Sequence, residues 1–154
     1  MADSFLYKSA LNKAMALCAG REICFSDIRK KVVSWGVNGE ETDKILSVLA
    51  SDKFIDEERY ASAFVKDKFR YNKWGKKKTG AALRMKQIPD AIINSALDSI
   101  DDSEYLDLLK SILEKHRKNV RAKNSYDLKG KLLRHCLAKG FESHLIYELL
   151  NEDE

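Results

Sequence analysis

An apolar pattern recurs three times along this chain, and it leaves few architectures open. Gly36-Val37 leads to Ile45 and Leu49, Gln87-Ile88 leads to Ile93 and Leu97, and Gly140-Phe141 leads to Ile146 and Leu150. One turn before each pair lies an apolar residue: Val32, Leu83 and Cys136. A second pattern, Ile55-Asp56-x-x-x-Tyr60, returns as Ile100-Asp101-x-x-x-Tyr105, where Glu104 completes a capping box. The period is roughly fifty residues, too short for a self-sufficient domain and right for a unit that buries its apolar face against neighbours.

Each unit reads as three helices, because the apolar spacing follows a 3.6-residue period and alternating strand patterns are absent. The spacing predicts helices over Lys8–Cys18, from Ser26 to the Gly36 stop, and over Glu40–Asp52. It continues with Asp56–Tyr71, Lys77–Lys86 and Pro89–Ser99, then Asp101–Lys118, Tyr126–Lys139 and Ser143–Asn151. Pro89 suits a first helical turn. Gln87 stands where the other copies have glycine; keeping a left-handed residue there costs up to about 1 kcal/mol, and the alternative is a different turn with Pro89 fixing the restart. The expected fold is all-α, with three tandem three-helix units over residues 1–53, 54–99 and 100–154, stacked as an elongated array.

Composition agrees. A chain of 154 residues with 44% apolar residues can form cores, and one proline with seven glycines suits helices. No apolar run approaches the ~20 residues of a membrane span, and the N-terminus lacks a basic segment followed by an apolar one. Cys18, Cys24 and Cys136 are odd in number and scattered, the usage of reduced thiols, so a cytoplasmic location is expected.

Net charge is only +4, but it is unevenly spread. From Lys66 to Lys86 nine basic residues face one acid, Asp67; from Lys110 to Lys139 ten face Glu114 and Asp127. Acids gather at Glu40, Glu41 and Asp43, between Asp98 and Asp107, and in the C-terminal tail. Clustered cations that displace counterions are the electrostatic footprint of a polyanion partner. The candidate contacts are Arg70, Lys73, Trp74, Lys76, Lys77, Lys78, Arg84 and Lys86 in the second unit, extended by Arg121, Lys123, Lys129, Lys131 and Arg134 in the third. Trp74, between Lys73 and Lys76, either stacks on an unpaired base or pads a helix corner. Trp35, beside the Gly36 turn, reads as packing.

Other chemistries find little support. Gly75-Lys76-Lys77-Lys78-Thr79 matches only the end of a phosphate loop, without its first glycine or preceding strand. His116, His135 and His144 lack zinc-ligand spacing, so neither a metal nor a cofactor is expected. Asp56, Glu57 and Glu58 are helix-start residues, and no catalytic constellation appears. A sequence-reading helix-turn-helix regulator is also a poor fit. The third helix of each unit would begin Glu40-Glu41-Thr42-Asp43, Pro89-Asp90-Ala91 and Glu142-Ser143-His144, and acids there repel the walls of a DNA groove.

The run Ile55-Asp56-Glu57-Glu58-Arg59-Tyr60-Ala61, with Phe64-Val65, a Lys/Arg-rich turn at Gly75 and a short helix ending at Ile88, resembles the RecX family. The resemblance spans roughly residues 10–150 and is most specific in the middle third; Gln87 departs from the family's glycine. It implies tandem three-helix modules in a curved chain, no enzymatic activity, and a small, monomeric bacterial modulator of the RecA recombinase. Such a protein would bind RecA and its filaments on single-stranded DNA, limit filament extension, and so lower ATP hydrolysis and strand exchange in recombination and DNA repair. The alternative reading is a RecA-independent, sequence-nonspecific nucleic-acid-binding helical protein.

Overall fold

In a computed structural model, which describes residues 2–152 and the side chains of 5–151, the chain is helical throughout its described regular structure. Its helices fall into three triplets: α1 (Ala2–Gly20), α2 (Phe25–Ser34) and α3 (Gly39–Ser51); α4 (Glu57–Asp67), α5 (Lys76–Met85) and α6 (Asp90–Asp98); and α7 (Asp102–Asn119), α8 (Ser125–Ala138) and α9 (Ser143–Glu152). Extensive helix-on-helix packing joins members of the same triplet. The tandem three-helix arrangement expected from the repeat is the one observed.

Helix starts are set by side-chain caps. Asn38, Asp56, Asp101 and Asn124 accept hydrogen bonds from the backbone N–H groups of Glu41, Arg59, Glu104 and Asp127, at 2.8 to 3.0 Å. Each bond satisfies an otherwise orphaned first-turn donor, worth about 1 kcal/mol. The three repeat anchors are helix stops. Gly36, Gln87 and Gly140 have φ of +90°, +62° and +96°, so Gln87 keeps the left-handed geometry of its glycine counterparts. Ile88 N–H then reaches back to the Leu83 carbonyl, and Phe141 N–H to that of Cys136, both at 3.2 Å. That closure drops the anchor side chain beneath the helix it ends. Val37, Ile88 and Phe141 are accordingly buried, as are Val32, Leu83 and Cys136.

Three apolar clusters result. The first centres on Ile28, Val32, Ile45 and Leu49, with Trp35 packed against it. The second holds Tyr60, Val65, Leu83 and Ile93 together with Cys24, which the first triplet contributes. The third holds Leu109, Leu132, Phe141 and Ile146 and draws in Phe69 from the second triplet. Neighbouring cores are thus stitched by single side chains crossing the boundary.

Local boundaries differ from expectation in three places. Helix α1 begins at Ala2 rather than near Lys8, because nothing between them breaks a helix. Pro89 caps α6 from outside with ψ of 143° instead of entering its first turn. The helix expected to continue to Tyr71 gives way at Lys68–Asn72 to a π-helical turn, ended by Lys73 in the left-handed region at φ +58°. Trp74 N–H closes this turn on the Lys68 carbonyl at 3.1 Å.

The second helices of the triplets meet end to end. At the C-terminus of α5, the Lys86 carbonyl accepts the Ser26 hydroxyl at 2.9 Å, and Lys86 Nζ pairs with both oxygens of Asp27 at 2.9 and 3.0 Å in the first turn of α2. At its N-terminus, Gly75 N–H donates to the Lys139 carbonyl at 2.7 Å and Lys77 N–H to the Gly140 carbonyl at 2.9 Å, beyond the end of α8. The positive end of one dipole therefore faces the negative end of the next at both junctions.

Candidate nucleic-acid and partner interface

The basic stretch of the second unit begins at the tighter of these junctions. A β-carbon on Gly75 would overlap the Gly140 carbonyl group and lie 2.5 Å from Phe141 N. One on Gly140 would overlap Lys78 and lie 2.6 Å from its backbone nitrogen. Only paired glycines allow the two backbones so close. The phenol of Tyr105 pins the same corner: its oxygen accepts the Lys76 backbone N–H at 2.9 Å and donates to the Glu142 carboxylate. Burial, reinforced by the bond to Glu142, pushes this phenol well above its ordinary pKa. The junction fixes the second and third units relative to each other at the place where their cations meet.

The sequence-predicted residues divide according to their surroundings. Lys86, Arg84 and Lys131 hold acids: Asp27, Asp90 at 3.3 Å and Asp127 at 3.2 Å, respectively. Lys131 also donates to the Arg121 carbonyl at 2.6 Å, which shapes the loop before α8. Trp74 is half-buried, with Lys68 Nζ and Lys78 Nζ each 4.7 Å from its ring. Both ammonium groups make cation–π contacts with this ring at the helix corner. Lys76 Nζ lies 4.9 Å from the Tyr105 ring. Arg70, Lys73, Lys77, Arg121, Lys123 and Arg134 are exposed and form no ion pair among the described residues. They are the cations most available to a partner.

These residues do not share one cavity. Lys76, Lys77 and Arg84 line a shallow groove with Glu142. Lys129 and Arg134 line another, between α8 and α9, beside the exposed Tyr126 and Tyr147. Lys73 turns instead toward the third unit, into a cleft with Lys115, His116, His135 and Lys139. None of these four was among the predicted contacts. The positive run from Lys110 to Lys139 contained the signal, but the helix face turned toward Lys73 depends on the π turn and the Gly75–Gly140 contact.

Titratable groups mark the other junction too. Burial raises the Glu57 carboxyl to about 7, helped by the charges of Asp27 and Asp56 and opposed by a hydrogen bond from the Phe25 backbone. Arg59, next to it, pairs with Glu22 at 2.5 Å. Burial also raises the Cys136 thiol to about 11, leaving it an inert core residue. Among the described residues, no helix is long and apolar enough to cross a membrane.

Comparison with known proteins places this arrangement. Residues 56–97 match the model of the second three-helix domain of RecX, and residues 102–150 match that of the third. The regulatory protein RecX of Chlorobaculum tepidum is 31% identical over 91% of this chain and 85% of its own length. That of Clostridium acetobutylicum is 28% identical over 97% of this chain and 70% of its own. A crystal structure of a regulatory protein RecX superposes with a TM-score of 0.89 at 24% identity, covering 99% of this chain and 74% of the other. The tandem three-helix arrangement is therefore that of a known fold, and the chain belongs to the RecX family.

Proposed function

We propose that this protein is a non-enzymatic regulator that binds RecA and RecA filaments on single-stranded DNA, limits their extension, and so lowers ATP hydrolysis and strand exchange in recombination and repair. Membership of a family of regulatory proteins supports the class of function. One observation carries the reading further: exposed cations without ion pairs, Arg70, Lys73 and Lys77, flank a backbone-locked corner between two units. Cations held at fixed spacing suit a partner whose negative groups repeat regularly, such as a nucleoprotein filament. Flexible lysines on independent units would lose more entropy on binding.

The test is a pair of charge reversals at cations without structural contacts. Arg70→Glu combined with Lys77→Glu should abolish binding to RecA filaments in co-sedimentation while leaving the helical circular-dichroism spectrum unchanged. Reversing Lys76 or Lys78 is less clean, because each sits on an aromatic ring at the junction. Undiminished filament binding by the double variant would remove this surface from the interface.

A further inference from the structure

We propose that the cleft between the π turn, α7 and α8 is a phosphate-binding pocket, gripping a phosphate oxyanion among Lys73, Lys115 and Lys139, with the His116–His135 pair as a wall that takes up a proton on binding. The cleft has a volume of about 240 Å³. At about 30 Å³ per water, that holds a phosphate group with part of its hydration. Three lysines enter it from three separate elements, and no carboxylate is among its lining residues. The contrast with Lys86 and Lys131 is informative, since each of those found an acid. Ser111 and Asn119 add neutral donors; the Asn119 amide spends one N–H on the Lys115 carbonyl at 3.0 Å and keeps another.

Two further features argue that this convergence is built rather than incidental. Lys73 is held in the left-handed region, unfavourable for a side chain with a β-carbon, directly after a π-helical turn. Such backbone is disfavoured by about 1 kcal/mol or more and recurs at functional positions. The imidazoles of His116 and His135 stack face to face, with centroids 3.7 Å apart and planes within 4°. Further positive charge on this pair, in a cleft lined by three lysines, is disfavoured by like-charge repulsion, and a bound anion offsets that repulsion. Burial, His116 and Lys139 together hold His135 below its ordinary pKa, so it is the member poised to gain a proton when an anion arrives.

Linkage gives the consequence. The charged groups facing the pair are Lys73 from the π turn, Lys115 from α7 and Lys139 from α8, all positive. An oxyanion among them raises the proton affinity of His135, and protonation in turn tightens the oxyanion, by up to about tenfold per pH unit within the titration window. The oxyanion can come from a nucleic-acid backbone or from free phosphate. Only the first source rests on the proposed function.

The experiment is an NMR titration of the histidine ring protons of the intact protein against pH, in sodium phosphate and in sodium chloride of equal ionic strength. Exposed His144 serves as internal reference. Phosphate should raise the His135 midpoint by about half a pH unit or more, a threefold linkage, and leave His144 in place. Lys139→Gln should cancel the shift, as should Lys73→Asn, since asparagine tolerates the left-handed backbone. Repeating the titration with oligothymidylate identifies the source: a shift with the oligonucleotide alone assigns the pocket to backbone phosphate, and one with phosphate alone assigns it to the free ion. Equal midpoints in chloride, phosphate and oligonucleotide overturn the proposal. That outcome would leave RecA regulation standing, because filament binding is read separately.

Discussion

Replacing Gly75 with alanine adds one carbon, and the structure predicts a large effect from it. The backbone of Gly75 is extended, with φ of −76° and ψ of 169°, so alanine fits its conformation without strain. Through the unfolded chain alone the change would stabilise by about 0.4–1 kcal/mol. The packing outweighs this. The new methyl overlaps the Gly140 carbonyl group and approaches Phe141 N to 2.5 Å, and a backbone cannot rotate away as a side chain can. Relief requires α5 to withdraw from the end of α8, which breaks the bonds from Gly75 N–H to Lys139 and from Lys77 N–H to Gly140. Two such bonds contribute about 1 kcal/mol each, and overpacking costs about 1–3 more. Net of the gain through the unfolded chain, the expected destabilisation is therefore about 2–4.5 kcal/mol, concentrated at the boundary between the second and third units. Urea unfolding followed by Trp74 fluorescence, in a Trp35→Phe background, reports on this corner. Because coupling between units is what is lost, the single transition should also split. Gly39→Ala, whose β-carbon meets nothing within 4 Å, is the matched control. A Gly75→Ala protein within about 0.5 kcal/mol of that control would show that the two backbones do not depend on this close approach.

Two other perturbations test the junctions. Tyr105→Phe removes the acceptor for Lys76 N–H and the donor to Glu142, and should destabilise by about 1–3 kcal/mol in urea unfolding, without changing helix content at low urea. Glu57 has a folded pKa near 7, above its ordinary 4.5, so the folded state binds the extra proton and the stability this confers is complete below about 4.5 and gone above about 7. Glu57→Gln should therefore be more stable than the parent above pH 7, by about 1 kcal/mol after allowance for solvent screening, with the difference vanishing toward pH 4.5; equal melting at pH 8 would contradict this.

Much of the fold was legible because its determinants are local and repeated. An αL stop followed by a buried residue, and an aspartate before an amphipathic run, act within a single turn and announce themselves by spacing. Gln87 was readable only through its counterparts, since its own side chain gives no hint of positive φ. Lys53 and Lys73, also left-handed, had no such counterpart and were missed. The candidate interface was less legible. Charge density located the cations, but whether a lysine meets an acid, an aromatic ring or solvent depends on residues far along the chain: Asp27 for Lys86, Tyr105 for Lys76, Lys139 for the cleft at Lys73. For Trp74 the sequence left base stacking and corner packing both open, and the π turn that brings Lys68, six positions earlier, over its ring has no signature in the local sequence.

Regulation of a RecA filament is read from single-stranded-DNA-dependent ATP hydrolysis by RecA, with this protein added far below the RecA concentration. Hydrolysis should fall progressively at such ratios, since a protein that bridges subunits or blocks extension silences many RecA molecules at once. Inhibition that appears only when the protein matches the DNA would mean competition for the strand, and hydrolysis unchanged at every ratio would rule out regulation of the filament.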